Sequence, residues 1–246
     1  MFFKTKNLSV YYEKYGENDK TILILPGWGE TRKTFDFLIK ELKNDYTIYI
    51  LDYPGIGNSS TPIKDLTIYN YTEIIYSFLK KNKIKKPIII AHSFGGRISS
   101  ILISKLNFKV EKLILMDVAG IKRLSLKKII KQKIYKLLKK LTTHYPKLQE
   151  KLAHLFGSKD YNNLPNSMKK TFQNIVNEDL RKYYKNINIE TLIIWGEKDK
   201  DTPLKDAKYI NKHIKNSGLI IYKNSNHFSY LNYPYLTINI IKEFLK

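Results

Sequence analysis

Six short apolar runs recur along the chain and constrain its fold more than any other feature: TILILP (21–26), YTIYILD (46–52), PIIIAH (87–92), KLILMD (112–117), TLIIWG (191–196) and GLIIYK (218–223). They are rich in isoleucine and mostly lack the polar–apolar alternation of a half-solvated strand. Such runs suit strands buried on both faces of a parallel sheet. Segments of helical period lie between them. In YNYTEIIYSFLKKN (69–82), Ile74, Ile75, Phe78 and Leu79 repeat at helical spacing. PLKDAKYINKHIK (203–215) and PYLTINIIKEFLK (234–246) each open on a proline, which suits a first helical turn. The alternation predicts an α/β fold, a mostly parallel sheet with helices on both faces. The opening segment, FFKTKNLSVYYEKYG (2–16), alternates more and is expected to form an antiparallel edge hairpin.

One region breaks the rhythm. Residues 121–189 contain no convincing buried strand but three helical segments: RLSLKKIIKQKIYKLLKKL (123–141), YPKLQEKLAHLFG (145–157) and PNSMKKTFQNIVNEDLRKYYKN (165–186). The expected organisation is a core built from residues 1–120 and 190–246, with a helical cap inserted at 121–189. At 43% hydrophobic residues the chain can bury a core of that size. Cysteine is absent, which excludes disulfides, thiolate nucleophiles and cysteine metal sites, and fits a reducing compartment. The N-terminus lacks the pattern of a signal peptide, and no apolar run approaches the ~20 residues of a spanning helix. A cytoplasmic protein is expected. The net charge of +22 invites a nucleic-acid reading, but only Arg32, Arg97, Arg123 and Arg181 are arginines, and no nucleic-acid fold signature accompanies the lysines. No nucleic-acid partner is expected.

The run PIIIAH ends on His92 and is followed by Ser93, Phe94, Gly95 and Gly96 before a helical segment begins. In an open parallel sheet the carboxyl ends of the strands form the crevice that binds ligands. A serine on a sharp strand-to-helix turn there is pushed out of the backbone, provided its neighbours are small. Ala91 and Gly95 flank it at two residues on either side. This is the G-x-S-x-G elbow with alanine in the first position.

With LPGWGE, LDYPGIGNSS, AHSFGG, WGEKDKDTP and NHFSYLNYP in this order, the chain resembles the α/β-hydrolase family over nearly its whole length. More loosely, it resembles the capped esterases that include the pimeloyl-carrier-protein methyl ester esterases. The resemblance implies a serine hydrolase that needs no cofactor and acts on a small-molecule carboxylic ester or thioester. A serine hydroxyl needs a general base. His227, in a loop after the last strand, matches that position. His92 is read as structural, and His144, His154 and His213 as helical or cap histidines. Three acids compete to orient the base. Asp199 matches G-x-x-D-x-x-x-P from Gly196 to Pro203, Asp117 ends a strand after which some relatives carry the acid, and Asp201 reads as a solvated turn residue. The pattern favours Asp199, in the chain order Ser, Asp, His.

An oxyanion hole is implied as well, from the backbone N–H groups of Phe94 and of Trp28. The family more often has histidine where Pro26 stands. Gly55 and Gly57 read as a structural turn, since no phosphate-loop pattern completes around them, and no histidine pair has zinc-site spacing, so no metal is inferred. The same triad could serve C–C bond hydrolysis or a cofactor-free peroxidase, or stand unused in a binding protein. Residues 121–151 hold eleven basic residues and one acid, Glu150. Within Leu126–Leu141, the residues Ile130, Ile134, Leu137, Leu138 and Leu141 share one face. Two readings stay open: a cap helix laying that face over the active site, or a basic amphipathic helix that meets an acidic carrier protein or an anionic lipid surface.

Overall fold

The computed structural model describes residues 1–5, 7–122, 126–156 and 159–246. Its elements run β1 (Phe2–Thr5), β2 (Leu8–Tyr15), β3 (Thr21–Leu25), α1 (Asp36–Leu42), β4 (Thr47–Leu51), α2 (Ile68–Lys81), β5 (Ile88–His92), α3 (Phe94–Ser104) and β6 (Leu113–Met116). They continue α4 (Leu126–Leu141), α5 (Pro146–Phe156), α6 (Lys159–Asn163), α7 (Asn166–Val176), α8 (Arg181–Tyr184), β7 (Thr191–Gly196), α9 (Leu204–His213), β8 (Ser217–Tyr222), α10 (Ser229–Asn232) and α11 (Pro234–Leu245). All six apolar runs are strands. They form one sheet in the order β1-β2-β4-β3-β5-β6-β7-β8, parallel from β4 to β8. The opening segment is the expected hairpin: β1 and β2 pair antiparallel at the edge, and β2 joins β4 antiparallel.

The missing alternation in the strands has a direct cause, since both faces are covered. Leu23, Leu25, Ile89, Ala91, Leu113, Leu115, Ile193 and Trp195 pack into one core with residues of α2, α3 and α9. Their alternate neighbours Ile22, Ile24, Ile88, Ile90, Ile114, Met116, Leu192 and Ile194 pack into a second core with α1 and α11. Burying a large aliphatic side chain contributes about 1.5–3 kcal/mol. These two layers hold the strand ends, and therefore the site, in register.

The described residues between β6 and β7 contain helices and no strand. Arg123, Leu124, Ser125 and Gly157, at the ends of two expected helices, lie outside the described residues. The third expected helix is two, α7 and α8. It breaks where the buried Arg97 guanidinium, from α3, donates to the carbonyls of Ile175 and Glu178, each at 3.1 Å. The α4 apolar face, which one reading of the sequence laid over the active site, is left largely exposed. Ile130, Ile134, Leu137 and Leu141 are 46–68% exposed, and α4 packs chiefly on α5, where Tyr135 meets Phe156. α7, by contrast, packs inward: its Met168, Thr171 and Ile175 are buried.

Candidate active site

β5 carries Ser93 to the crevice and α3 leads away from it. Ser93 has φ 42° and ψ −106°, a conformation that a side-chain-bearing residue adopts only under constraint. Its N–H donates to Met116 O (3.2 Å), and its carbonyl accepts from Ala119 (2.9 Å) and Gly96 (3.1 Å). The small neighbours are required by contact. A Cβ on Gly95 would lie 2.0 Å from the Leu25 carbonyl oxygen, and one on Gly96 would lie 2.3 Å from Val118 Cβ. Ala91, by contrast, sits in the strand between Leu25 and Leu115, where its methyl is fully buried and accommodated.

The histidine and the acid arrive on the loops after β8 and β7. His227 Nδ1–H donates to Asp199 Oδ2 at 2.8 Å, which leaves Nε2 to accept from the Ser93 hydroxyl at 2.9 Å. The structure thus brings together the three residues read from sequence, which lie 28 and 134 positions apart. Asp199 Oδ1 accepts from the N–H groups of Asp201 (2.8 Å) and Thr202 (2.9 Å), while Oδ2 also accepts from Thr202 Oγ1. Burial opposes the charge on Asp199, but the bonds from His227 and Thr202 outweigh it and hold the carboxyl below its usual range. Burial likewise opposes the imidazolium of His227, and the Asp199 hydrogen bond and charge outweigh that, raising its pKa. The arrangement is a serine with a base in reach and a base held by an anion.

The competing acids are placed elsewhere. Asp117 is fully buried at the end of β6, accepts from the N–H groups of Gly196 (2.8 Å) and Ser229 (3.1 Å), and ties the β7 end to the histidine loop. Burial pushes its carboxyl up to about 6. Asp201 is exposed, as are His144 and His154, and the His213 ring donates to Tyr209 O within its own helix. Asp199, Asp201 and His227 offer ligand atoms within 4.8 Å of one another, the one such group among the described residues. A metal fits poorly there, because the Asp199 oxygens already take four donors.

The N–H groups of Trp28 and Phe94 have no acceptor among the described residues, as oxyanion donors must in the free protein. Their side chains meet edge to face, with ring centroids 5.3 Å apart. Tyr53 packs on Phe94 at 5.0 Å and donates its hydroxyl to Pro26 O at 3.2 Å. Phe172 of α7 closes on Trp28 at 5.5 Å. Pro26, where the family pattern prefers histidine, is thereby fixed through its carbonyl.

Sequence reasoning left His92 a structural role without naming its partners. Its Nε2–H donates to the His227 carbonyl at 2.9 Å. Its Nδ1 lies 2.8 Å from Glu30 Oε1, in ion-pair range though not in line for a hydrogen bond. Glu30 Oε2 accepts from the Gly27 N–H at 2.7 Å. Glu30 and His92 therefore bridge the Trp28 loop to the backbone of the histidine loop. Glu30, Tyr53 and Thr202 carried no local signal, because their partners lie across a turn or on other strands.

Comparison with known proteins agrees with this architecture. The sequence profile described as "alpha/beta hydrolase fold" matches residues 20–141. The chain belongs to the α/β-hydrolase fold family. Among its family relatives, the pimeloyl-[acyl-carrier protein] methyl ester esterase of Wigglesworthia glossinidia brevipalpis is 27% identical over 267 residues, covering 96% of this chain and 97% of that protein. The 2-hydroxy-6-oxononadienedioate/2-hydroxy-6-oxononatrienedioate hydrolase of Escherichia coli is 23% identical, covering 91% of this chain and 86% of its own length. Among solved structures, MGS-M2, an α/β-hydrolase enzyme from a Medee basin deep-sea metagenome library, superposes with a TM-score of 0.79 at 21% identity, covering 100% of this chain and 97% of that one. The esterase and hydrolase relatives make this a hydrolase-like chain.

Proposed function

We propose that the protein is a serine hydrolase that cleaves a carboxylic ester or thioester through an acyl-serine intermediate. The observation that carries the reading is the continuous line from Ser93 Oγ to His227 Nε2 (2.9 Å) and from His227 Nδ1 to Asp199 Oδ2 (2.8 Å). His227 takes the Ser93 proton as Oγ attacks the acyl carbon. Negative charge grows on the carbonyl oxygen, and the N–H groups of Trp28 and Phe94 receive it. Asp199 stabilises the imidazolium that forms. The imidazolium then protonates the leaving alcohol or thiol. Water, deprotonated by His227, attacks the acyl-serine and restores the free enzyme.

Removing the hydroxyl is expected to lower kcat about a million-fold, as loss of a triad nucleophile does. Ser93→Ala should fold normally, judged by circular dichroism, and fail to react with a fluorophosphonate probe that labels the parent chain. Ester turnover by Ser93→Ala close to that of the parent would refute the assignment. The substrate panel should span acyl chain length and include thioesters and a diketone. Turnover of the diketone alone would move the reading to C–C bond hydrolysis.

A further inference from the structure

The helical hairpin of α4 and α5 presents an unusual combination of groups to solvent. Ile130, Ile134, Leu137 and Leu141 recur at intervals of four, three and four residues along α4, which places them in one stripe, and they are 56%, 46%, 60% and 68% exposed. α5 adds Leu148 and Leu155, 45% and 71% exposed. The α4 sequence holds seven lysines and no acid, and Lys133, Lys136, Lys139 and Lys140 are exposed beside the stripe. The inner side of the hairpin is already used, with Tyr135 on Phe156 and Gln149 bonded to Lys139 O. α7 packs inward, with Phe172 on Trp28, whereas the α4 stripe is left largely to solvent.

We propose that this hairpin docks the protein on an anionic lipid bilayer, with the apolar stripe seated at the acyl boundary and the lysines among the headgroups. Charge complementarity selects a negative surface, and the exposed apolar stripe selects one that can also be entered. An acidic protein would satisfy the lysines but leave the isoleucines and leucines in water. No described helix is long and apolar enough to cross a membrane, so the hairpin lies on the bilayer and does not span it. The insertion leaves the sheet after β6, at the carboxyl ends of the strands where Ser93 also sits, so docking would bring the crevice toward the lipid surface. The docking itself does not depend on Ser93 turning over.

The test is co-sedimentation of the full-length protein with large unilamellar vesicles of phosphatidylcholine alone and of phosphatidylcholine mixed with phosphatidylglycerol. Two variants accompany the parent: Ile134→Asn/Leu137→Asn/Leu141→Asn, and Lys133→Gln/Lys136→Gln/Lys139→Gln/Lys140→Gln. The expected result is binding to the mixed vesicles at low salt, little binding to phosphatidylcholine, and a loss of about tenfold or more in either variant. Thermal melting by circular dichroism should match the parent in both variants, and so should hydrolysis of a short soluble ester where the parent shows it. No binding to the mixed vesicles would overturn the proposal. So would binding that the lysine variant loses and the apolar variant keeps, which would point to charge-only docking on an acidic partner such as a carrier protein.

Discussion

Ser93 occupies its backbone conformation because its neighbours hold it there. A non-glycine residue at φ 42° costs of order 1–3 kcal/mol, offset by bonds from and to both sides of its peptide and by the packing of α3 on the sheet. The imidazole facing it must be neutral to accept a proton. Its pKa is raised above the ordinary value of about 6.5, so kcat/KM should rise with pH through a midpoint above that value. In Asp199→Asn the anion that supports the imidazolium is gone. The midpoint should fall and kcat should drop about 10⁴-fold, both read from one pH–rate series. A midpoint unchanged by the substitution would remove Asp199 from its proposed role. Glu30→Gln keeps the shape of the bridge and removes its charge. We expect kcat to fall about ten- to a hundredfold with KM little changed, because a small misplacement of the Trp28 loop weakens transition-state contacts more than substrate binding. Ser93, His227 and Asp199 were legible because each follows a strand within a recognisable local pattern. Glu30, Tyr53 and Thr202 were not, since what makes them matter is a distance to another loop.

At the scale of elements, the elbow is a joint between β5 and α3 that tolerates no added atom on its helical side. Gly95→Ala would place its methyl 2.0 Å from the Leu25 carbonyl, on a neighbouring strand with little freedom to move. Overpacking of that kind costs about 1–3 kcal/mol, so the urea midpoint should fall, and the displaced Phe94 N–H should take hydrolysis down with it. Parent-like stability would mean that the joint is looser than its contacts imply. The six strands and the helices α2, α9 and α11 were readable because burial on both faces, or on one, writes a period into the sequence. α1 was not. With seven residues it has too few turns to show a period, and its Leu38, Ile39 and Leu42 make sense only against the second core. α4 was readable as amphipathic, but its orientation was open, because the periodicity gives a face and not the direction in which it points.

For the molecule as a whole, pairing order is the part least accessible from the chain. Nothing local in β4 says that it lies between β2 and β3, since each ladder is a long-range contact. Charge is unevenly shared, and the hairpin of α4 and α5 carries a dense basic block while packing chiefly on itself. It should therefore open more readily than the sheet. Under limiting trypsin, the first cuts are expected at its exposed lysines, Lys133, Lys136, Lys139, Lys140, Lys147 or Lys151, identified by mass spectrometry. First cuts in α2 or α9 would contradict this ordering. The sheet also sets a schedule. His227 follows β8, the strand at the far edge, whereas the elbow is complete at β5. A nascent chain halted on the ribosome before Ser217 would expose its serine with no base to awaken it. On the proposed mechanism hydrolysis could not begin before residue 227 has been added, and its return after dilution from urea would clock the arrival of β8.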